Sequence, residues 1–373
     1  MSEKVASATV ERGLNEPLLS IDNLTIHFTN QGGLLDNLPF LGDGATASTV
    51  HAVDDVSLEV EQNDVIALVG ESGCGKTTLG KAAIGLQRPT RGNIRYRGQD
   101  IWDARFNRGS VDIPFQQIRR DLQIIHQDPG GSLNPNRTIL SSLKRPLDRW
   151  YPEMEVDDKE AYILDMLERV GMTPADDYAY RYPHQLSGGE QQRVALVRAL
   201  SVNPSLILAD EAVSALDVSL RIEMMDLMID IQQEMETSFI FISHNLANAH
   251  YMTTKIGGRI GIMYLGKIIE IGEPKQILHD PKHPYTEALI WSTPKLFTGS
   301  QEEVIEKPPI RKIDIPDATN PPSGCRFHTR CPEAREACKI NAPELIEVEG
   351  DQRAACFRNV EDHPYWDSPA LED

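Results

Sequence analysis

Nine residues constrain this chain more than any others: Gly70-Glu-Ser-Gly-Cys-Gly-Lys76-Thr77-Thr78. They follow the apolar run Val65–Val69 and precede a helical pattern from Thr77 to about Leu86. A G-x-x-x-x-G-K-S/T loop between a buried strand and a helix is a phosphate cradle. Gly70, Gly73 and Gly75 let the backbone turn tightly, so that successive N–H groups face inward around phosphate oxygens. The helix N-terminus adds the positive end of its dipole. Lys76 reaches the β- and γ-phosphates, and the Thr77 hydroxyl ligates Mg²⁺. Ser72, Cys74 and Thr78 complete the expected nucleotide-binding stretch, with Cys74 expected to act by small-residue packing rather than by chemistry. The bland alternative is a glycine-rich turn without a ligand, which the strand context and the Lys-Thr ending disfavour.

The surrounding pattern suits such a loop. Leu206–Ala209 and Ser238–Ile242 read as short buried strands. Between them a helix is expected from about Ser219 to Glu236, with Ile222, Met225, Met228, Ile229 and Met235 as its apolar positions. Apolar strands alternating with helices imply a parallel sheet covered on both faces. Upstream, Leu18–Phe28 and Val53–Val60 alternate like half-buried strands, and Thr29–Thr49 reads as a surface insertion rich in Gly, Asn and Asp. Pro129–Arg198 is mostly helical and reads as an inserted subdomain. After about Gly272 the composition shifts: the last 101 residues hold 13 of the 24 prolines, and periodicity is weak. The expected fold is therefore α/β: a P-loop NTPase (RecA-like) core with an antiparallel β subdomain, an inserted helical subdomain and an irregular metal-binding C-terminal extension. The expected divisions are a tail at 1–17, a nucleotide-binding domain at 18–272 (helical part about 129–198) and an extension at 273–373, with the nucleotide site cored separately from the extension.

Charge narrows the partners. The formal net charge is −19, from 37 basic and 56 acidic residues. Nucleic-acid binding needs a concentrated basic footprint, so no nucleic acid is expected. No apolar run approaches the ~18 residues of a membrane span. Met1–Glu16 has mixed charge and no continuous apolar region, unlike a secretory signal. The expected location is cytoplasmic, with membrane association only through a partner.

Leu206-Ile-Leu-Ala-Asp210-Glu211 is an apolar strand ending in two acids. Asp210 is placed for the Mg²⁺ shell, and Glu211 for the water that attacks the γ-phosphate. Leu186-Ser187-Gly188-Gly189-Glu190-Gln191-Gln192-Arg193 resembles the signature motif of ATP-binding-cassette ATPases. In order, Gln127 resembles the family's Q-loop glutamine, Ser214-Ala215-Leu216-Asp217 its D-loop and His244 its switch histidine. The resemblance implies that Ser187, Gly188 and Gly189 face the γ-phosphate of ATP bound on a partner ATPase, two subunits closing head to tail over two nucleotides. It implies Gln127 as a further Mg²⁺ ligand and as the link to the helical subdomain, and His244 as the group that contacts the γ-phosphate and orders the water at Glu211. It also implies an aromatic residue stacked on adenine: Phe28 is the choice and His51 the alternative.

Gln127-Asp-Pro-Gly-Gly-Ser-Leu-Asn-Pro135, Arg181–Ser187 and Asp210–Ser219 are similar to ATPases of oligopeptide and dipeptide importers, and His279–Leu289 resembles the start of their extension. The resemblance implies a second ATPase subunit, two transmembrane permease subunits, an external solute-binding protein and a place at the cytoplasmic face of the membrane. Nickel and some sugar importers share the subfamily, and a redox- or iron-responsive regulatory ATPase is a further alternative.

The extension holds four of the five cysteines, Cys325, Cys331, Cys338 and Cys356. In a cytosolic chain such a cluster points to a metal rather than to disulfides. The spacing fits neither the close pairs of structural zinc nor the tight runs of bacterial ferredoxins, and four thiolates suit either metal by count. The family resemblance favours a 4Fe-4S cluster, with Zn²⁺ as the alternative. Arg326, Arg330, Arg335 and Lys339 are expected to lie near the thiolates and stabilise their charge.

Overall fold

The computed structural model describes residues 16–30, 48–293 and 310–371. Most of the expected N-terminal tail and of the insertion at Thr29–Thr49 lies outside the described residues.

Three strands lead into the phosphate loop: β1 (Leu19–Asn30), β2 (Ser48–Val60) and β3 (Val65–Val69). β1 and β2 pair antiparallel, and β4 (Arg91–Tyr96) and β5 (Gln99–Asp100) extend this sheet in the order β2-β1-β4-β5. This is the expected antiparallel subdomain. β2 runs five residues further upstream than its alternation suggested, because it stays paired with β1 as far as Asn30↔Ser48.

The second sheet has eight strands, in the order β11-β12-β10-β9-β3-β8-β7-β6. Its centre comprises β6 (Leu122–Ile125), β7 (Leu206–Asp210), β8 (Ser238–Ser243) and β3, all parallel. Every residue of β3, β7 and β8 is buried, as expected of strands covered on both faces. β9 (Arg259–Tyr264) lies parallel to β3, and β10 (Lys267–Gly272) returns antiparallel to β9. Between β6 and β7 the chain is helical over 129–200, ending in the helix Gly188–Leu200.

The extension departs from expectation. It is not cored apart from the nucleotide-binding domain. β12 (Gln352–Ala354) pairs with the edge of β10, and β11 (Ile346–Glu349) pairs with β12, so the extension completes the main sheet. Ile277, Leu278, Tyr285, Phe327 and Leu371 belong to the same contiguous core as Val65, Ala67 and Ile207. Tyr264 of β9 meets the rings of Tyr285 and Phe327 at 4.7 and 5.3 Å. The cause is composition: a proline-rich segment with few apolar residues stabilises itself by burying its aromatic rings against an existing core.

The anchor of this seam is Glu270 on β10, fully buried. Its carboxylate accepts hydrogen bonds from Lys282 N–H (2.7 Å), His283 N–H (3.0 Å), Thr286 Oγ1 (2.5 Å) and Gln352 Nε2 (2.8 Å). All four donors come from the extension, so one buried charge is satisfied only when the extension is docked.

His283, beside Glu270, caps the helix Pro284–Trp291: its Nδ1 accepts from Tyr285 N–H at 3.0 Å. Complete burial pushes its pKa down to about 3, with Arg358 adding to the effect. The folded protein therefore keeps this imidazole neutral, whereas the unfolded chain protonates it below about 6.5. Stability present above pH 6.5 is lost as the pH falls toward 3, by up to ~1.4 kcal/mol per pH unit. His283→Asn retains a capping acceptor without titrating. Urea midpoints of wild type and variant, compared from pH 7.5 to 5, should converge as the pH falls; parallel curves would assign the acid sensitivity elsewhere.

Candidate nucleotide site

Lys76 opens the helix Lys76–Ala83, after Gly73 at φ 78° and Gly75 at φ 106°. A Cβ on Gly75 would stand 2.1 Å from the Ala52 carbonyl oxygen, so both the backbone angle and the space require glycine there. The Lys76 ammonium donates to the Gly70 carbonyl at 2.8 Å and to the Glu71 carbonyl at 3.0 Å. Cys74 is buried, its Sγ 3.7 Å from Lys76 Nζ, and burial raises its pKa against the lowering pull of Lys76. Burial thus keeps this thiol neutral.

β7 delivers Asp210 to the loop. Thr77 Oγ1 donates to Asp210 Oδ1 at 2.8 Å, so the two expected Mg²⁺ ligands already stand side by side. Glu211 turns away from the strand at φ 50°. Its Oε2 accepts from Gln127 Nε2 at 3.1 Å and lies 3.5 Å from His244 Nδ1. Three residues expected separately from sequence, 84 and 33 positions apart, thus meet at one carboxylate oxygen. The backbone supports it: Glu211 N–H donates to Ile242 O at 3.1 Å, and Ser214 Oγ donates to Glu211 O at 2.8 Å. Asp217 caps the helix Val218–Met235 through Leu220 N–H at 3.0 Å.

Ser187 caps the helix Gly188–Leu200 within a capping box. Glu190 Oε2 accepts from Ser187 N–H (2.7 Å) and from Ser187 Oγ (2.8 Å), bonds that hold the Glu190 carboxyl below its usual range. A Cβ on Gly188 would meet nothing within 4 Å. This helix end is therefore open at Gly188, while the Glu190 N–H is taken by Ser187 Oγ at 3.3 Å. Phe28 is exposed and sits opposite Val50 in the β1–β2 ladder. His51 is engaged: its ring lies 4.1 Å from that of His27, and Nδ1 lies 3.9 Å from Asp54. Burial lowers the His51 pKa, helped by His27.

In the extension, Cys325, Cys331, Cys338 and Cys356 line one small enclosed cavity of about 20 Å³, closed by Phe327, Phe357 and Tyr365. Backbone N–H groups of Phe327, Glu333, Arg335 and Arg358 face the four sulfurs in turn. Burial raises all four thiols, Cys325 to about 12 and Cys356 to about 11. No three of these sulfurs lie within 4.8 Å of one another; His27, His51 and Asp54 form the one such group among the described residues. Tetrahedral zinc, with Zn–S near 2.3 Å, needs sulfurs about 3.8 Å apart. The four thiols thus share one cavity without being drawn together as a single zinc shell would draw them.

The bases around this cavity correct the sequence reading. Arg326 turns onto Asp54 and the Leu265 carbonyl, Arg330 onto Glu71, and Lys339 onto Glu336. Arg335 does act on Cys338, and Arg358, not singled out from sequence, acts on Cys356. Sequence reasoning also missed the contacts of Glu71, because its partners lie 214 and 259 residues away and no local pattern signals such pairings.

A phosphate loop that gathers glutamine, carboxylate and histidine, while a second anion-binding helix end is turned outward, is the site of an ATP-binding-cassette ATPase. The ABC transporter family matches residues 53–214, and the family described as oligopeptide/dipeptide transporter, C-terminal region, matches residues 269–338. The oligopeptide transport ATP-binding protein AppF of Bacillus subtilis is 38% identical over 343 residues, covering 91% of this chain and 97% of that protein. The dipeptide transport ATP-binding protein DppF of Escherichia coli is 37% identical over 351 residues, covering 94% and 97%. Among solved structures, an ATP-binding cassette captured as a post-hydrolysis dimer bound to ADP and Pi superposes with a TM-score of 0.55 at 26% identity, covering 69% of this chain and 98% of that one. The chain belongs to the oligopeptide/dipeptide branch of the ABC transporter ATPases.

Glu211→Gln should lower ATP turnover by at least ~10²-fold, the scale of one general base. The amide preserves shape, so ATP binding should persist; steady-state hydrolysis beside nucleotide titration checks both. Lys76→Ala should instead lose affinity for ATP, measured by calorimetry.

Proposed function

We propose that this chain is the ATP-hydrolysing subunit of a membrane importer for peptides, coupled to separate transmembrane subunits. The observation that carries the reading is an intact Gln127–Glu211–His244 set in a chain whose oligopeptide-type extension is built into the same core. The relatives named above are peptide-transport proteins; nothing in them favours nickel, sugars or a redox-responsive regulator. Among the described residues no helix is long and apolar enough to cross a membrane, so uptake requires partner chains.

ATP enters with its phosphates over Gly70–Thr78 and its adenine against Phe28. Thr77 and Asp210, with Gln127, would hold Mg²⁺, which neutralises charge on the β- and γ-phosphates. Glu211 accepts a proton from the attacking water as its oxygen bonds to the γ-phosphorus. The bond to the β–γ bridging oxygen breaks, and ADP leaves with that electron pair. His244 orders the water and faces the γ-phosphate. The outward signature end, Ser187–Gly189, completes the site of a second, different ATPase subunit.

The permease contact is proposed at a groove of about 790 Å³ beside the Q-loop, lined by Phe115, Arg119, Arg137, Arg145, Arg149 and Trp150. Burial and the neighbouring Arg105 and Arg149 lower the Arg119 pKa. So dense a basic site, in a chain of net charge −19, suits a cytoplasmic permease helix bearing carboxylates. In reconstituted transporter, Arg145→Glu with Arg149→Glu should abolish permease co-purification and peptide-stimulated hydrolysis while nucleotide binding survives. Stimulation by a loaded sugar- or nickel-binding protein, and none by a peptide-loaded one, would sink the peptide reading.

We further propose that Cys325, Cys331, Cys338 and Cys356 hold a 4Fe-4S cluster with a structural role. The lining of one enclosed cavity by all four cysteines supports a shared four-thiolate site. Anaerobically purified protein should contain about four irons per chain, and Cys331→Ser should make the extension sensitive to protease. Stoichiometric zinc without iron would replace the cluster with a zinc site.

A further inference from the structure

The phosphate loop carries an acid where it must receive an anion. Glu71 directly follows Gly70, and its carbonyl is one of the two that hold the Lys76 ammonium. A free carboxylate there repels a triphosphate. The extension supplies its counter-charge: Arg330 binds Glu71 in a two-pronged pair, Nη1 to Oε2 at 2.9 Å and Nη2 to Oε1 at 3.0 Å. The guanidinium is held by more than Glu71. Its Nε donates to the Lys312 carbonyl at 3.2 Å, its Nη1 to Tyr264 Oη at 3.3 Å, and it lies 5.7 and 5.8 Å from the ring centres of Tyr264 and Phe327. Tyr285, also in the extension, accepts the Glu71 N–H on its hydroxyl at 3.0 Å.

We propose that Arg330 is a positioning residue of the nucleotide site, contributed by the extension, which neutralises Glu71 and so sets the affinity of the phosphate loop for ATP. Tyr285 fixes the Glu71 backbone in the same arrangement. Both act through Glu71, and neither takes part in the chemistry. The fork of an arginine suits the task, because it places one positive charge against both carboxylate oxygens of Glu71 at once. Arg330 and Cys331 share one turn, with both N–H groups donating to the Phe327 carbonyl at 2.9 Å, so the cysteine-lined cavity and the charge guard form one rigid unit.

The test is nucleotide binding and steady-state hydrolysis by the full chain. Arg330→Ala should raise the Kd for ATP about tenfold, the effect of one unmasked charge ~10 Å from the phosphates at an effective dielectric near 20. KM should rise in step while kcat stays within about twofold, because the Glu211 site is untouched. The loss should shrink as salt is raised from 50 to 500 mM. The distinguishing result is rescue: Glu71→Gln added to Arg330→Ala should restore ATP affinity, which the repair of a merely structural defect would not do. Arg330→Gln, which keeps the stem between the two rings, repeats the test should the alanine variant fold poorly. Unchanged ATP affinity in a folded Arg330 variant, or no rescue by Glu71→Gln, would overturn the proposal. These readouts need no transport, so they stand apart from the peptide reading.

Discussion

The phosphate loop, Asp210, Glu211, His244 and Gln127 all stand at or just beyond the C-terminal ends of parallel strands. β3 ends at the phosphate loop, β7 at Asp210 and Glu211, β8 just before His244, and β6 just before Gln127. Parallel strands order all four ends along one edge, and their burial leaves the ends no freedom to shift independently. Backbone bonds across the sheet fix the spacing further, as where Glu211 N–H donates to the Ile242 carbonyl on the neighbouring strand. Catalytic geometry here is a by-product of strand register, and polar side chains meet at hydrogen-bond distance because apolar ones beneath them are packed.

That dependence explains which parts of the molecule were legible in the sequence. β3, β7 and β8 were readable because full burial makes each an unbroken apolar run, and the phosphate loop and the two acids follow such runs directly. The helix Val218–Met235 was placed to within a residue at each end, since its apolar residues recur on period and Asp217 caps it. β6 was missed: it has four residues, two of them only half-buried, too short to show a period. β11 and β12 were missed because Ile-Glu-Val-Glu and Gln-Arg-Ala carry little apolar signal. Contacts between distant positions, such as Arg326 with Asp54, leave no local trace, so three of the four bases expected beside the thiolates, Arg326, Arg330 and Lys339, pair with acids instead.

The extension has only a small cluster of its own, Ala337, Cys338, Phe357 and Tyr365, and is held mainly by what it shares with the cassette. Its aromatic residues Tyr285 and Phe327 complete the cassette's apolar core, and its polar groups satisfy Glu270, a buried charge belonging to the cassette. The dependence is mutual. Without the extension Glu270 would be a buried carboxylate lacking its four donors; without Glu270 the N–H groups of Lys282 and His283 would lose their acceptor. The shift in composition near residue 273 therefore falls within a shared core rather than between two separate ones.

The two anion-binding helix ends of the chain are treated in opposite ways. The end at Lys76 is enclosed: the ammonium is buried, Ala52 and Met263 carbonyls press on its glycines, and the extension reaches its second residue. The end at Ser187 is capped only by its own Glu190 and faces open space at Gly188. A helix terminus that opens on glycines retains its field for an anion brought from outside. An enclosed loop binds its own phosphate strongly, whereas an open helix end does so only when a second surface excludes water around the same anion. A bound triphosphate therefore favours closure of two such surfaces, and loss of the γ-phosphate removes that attraction.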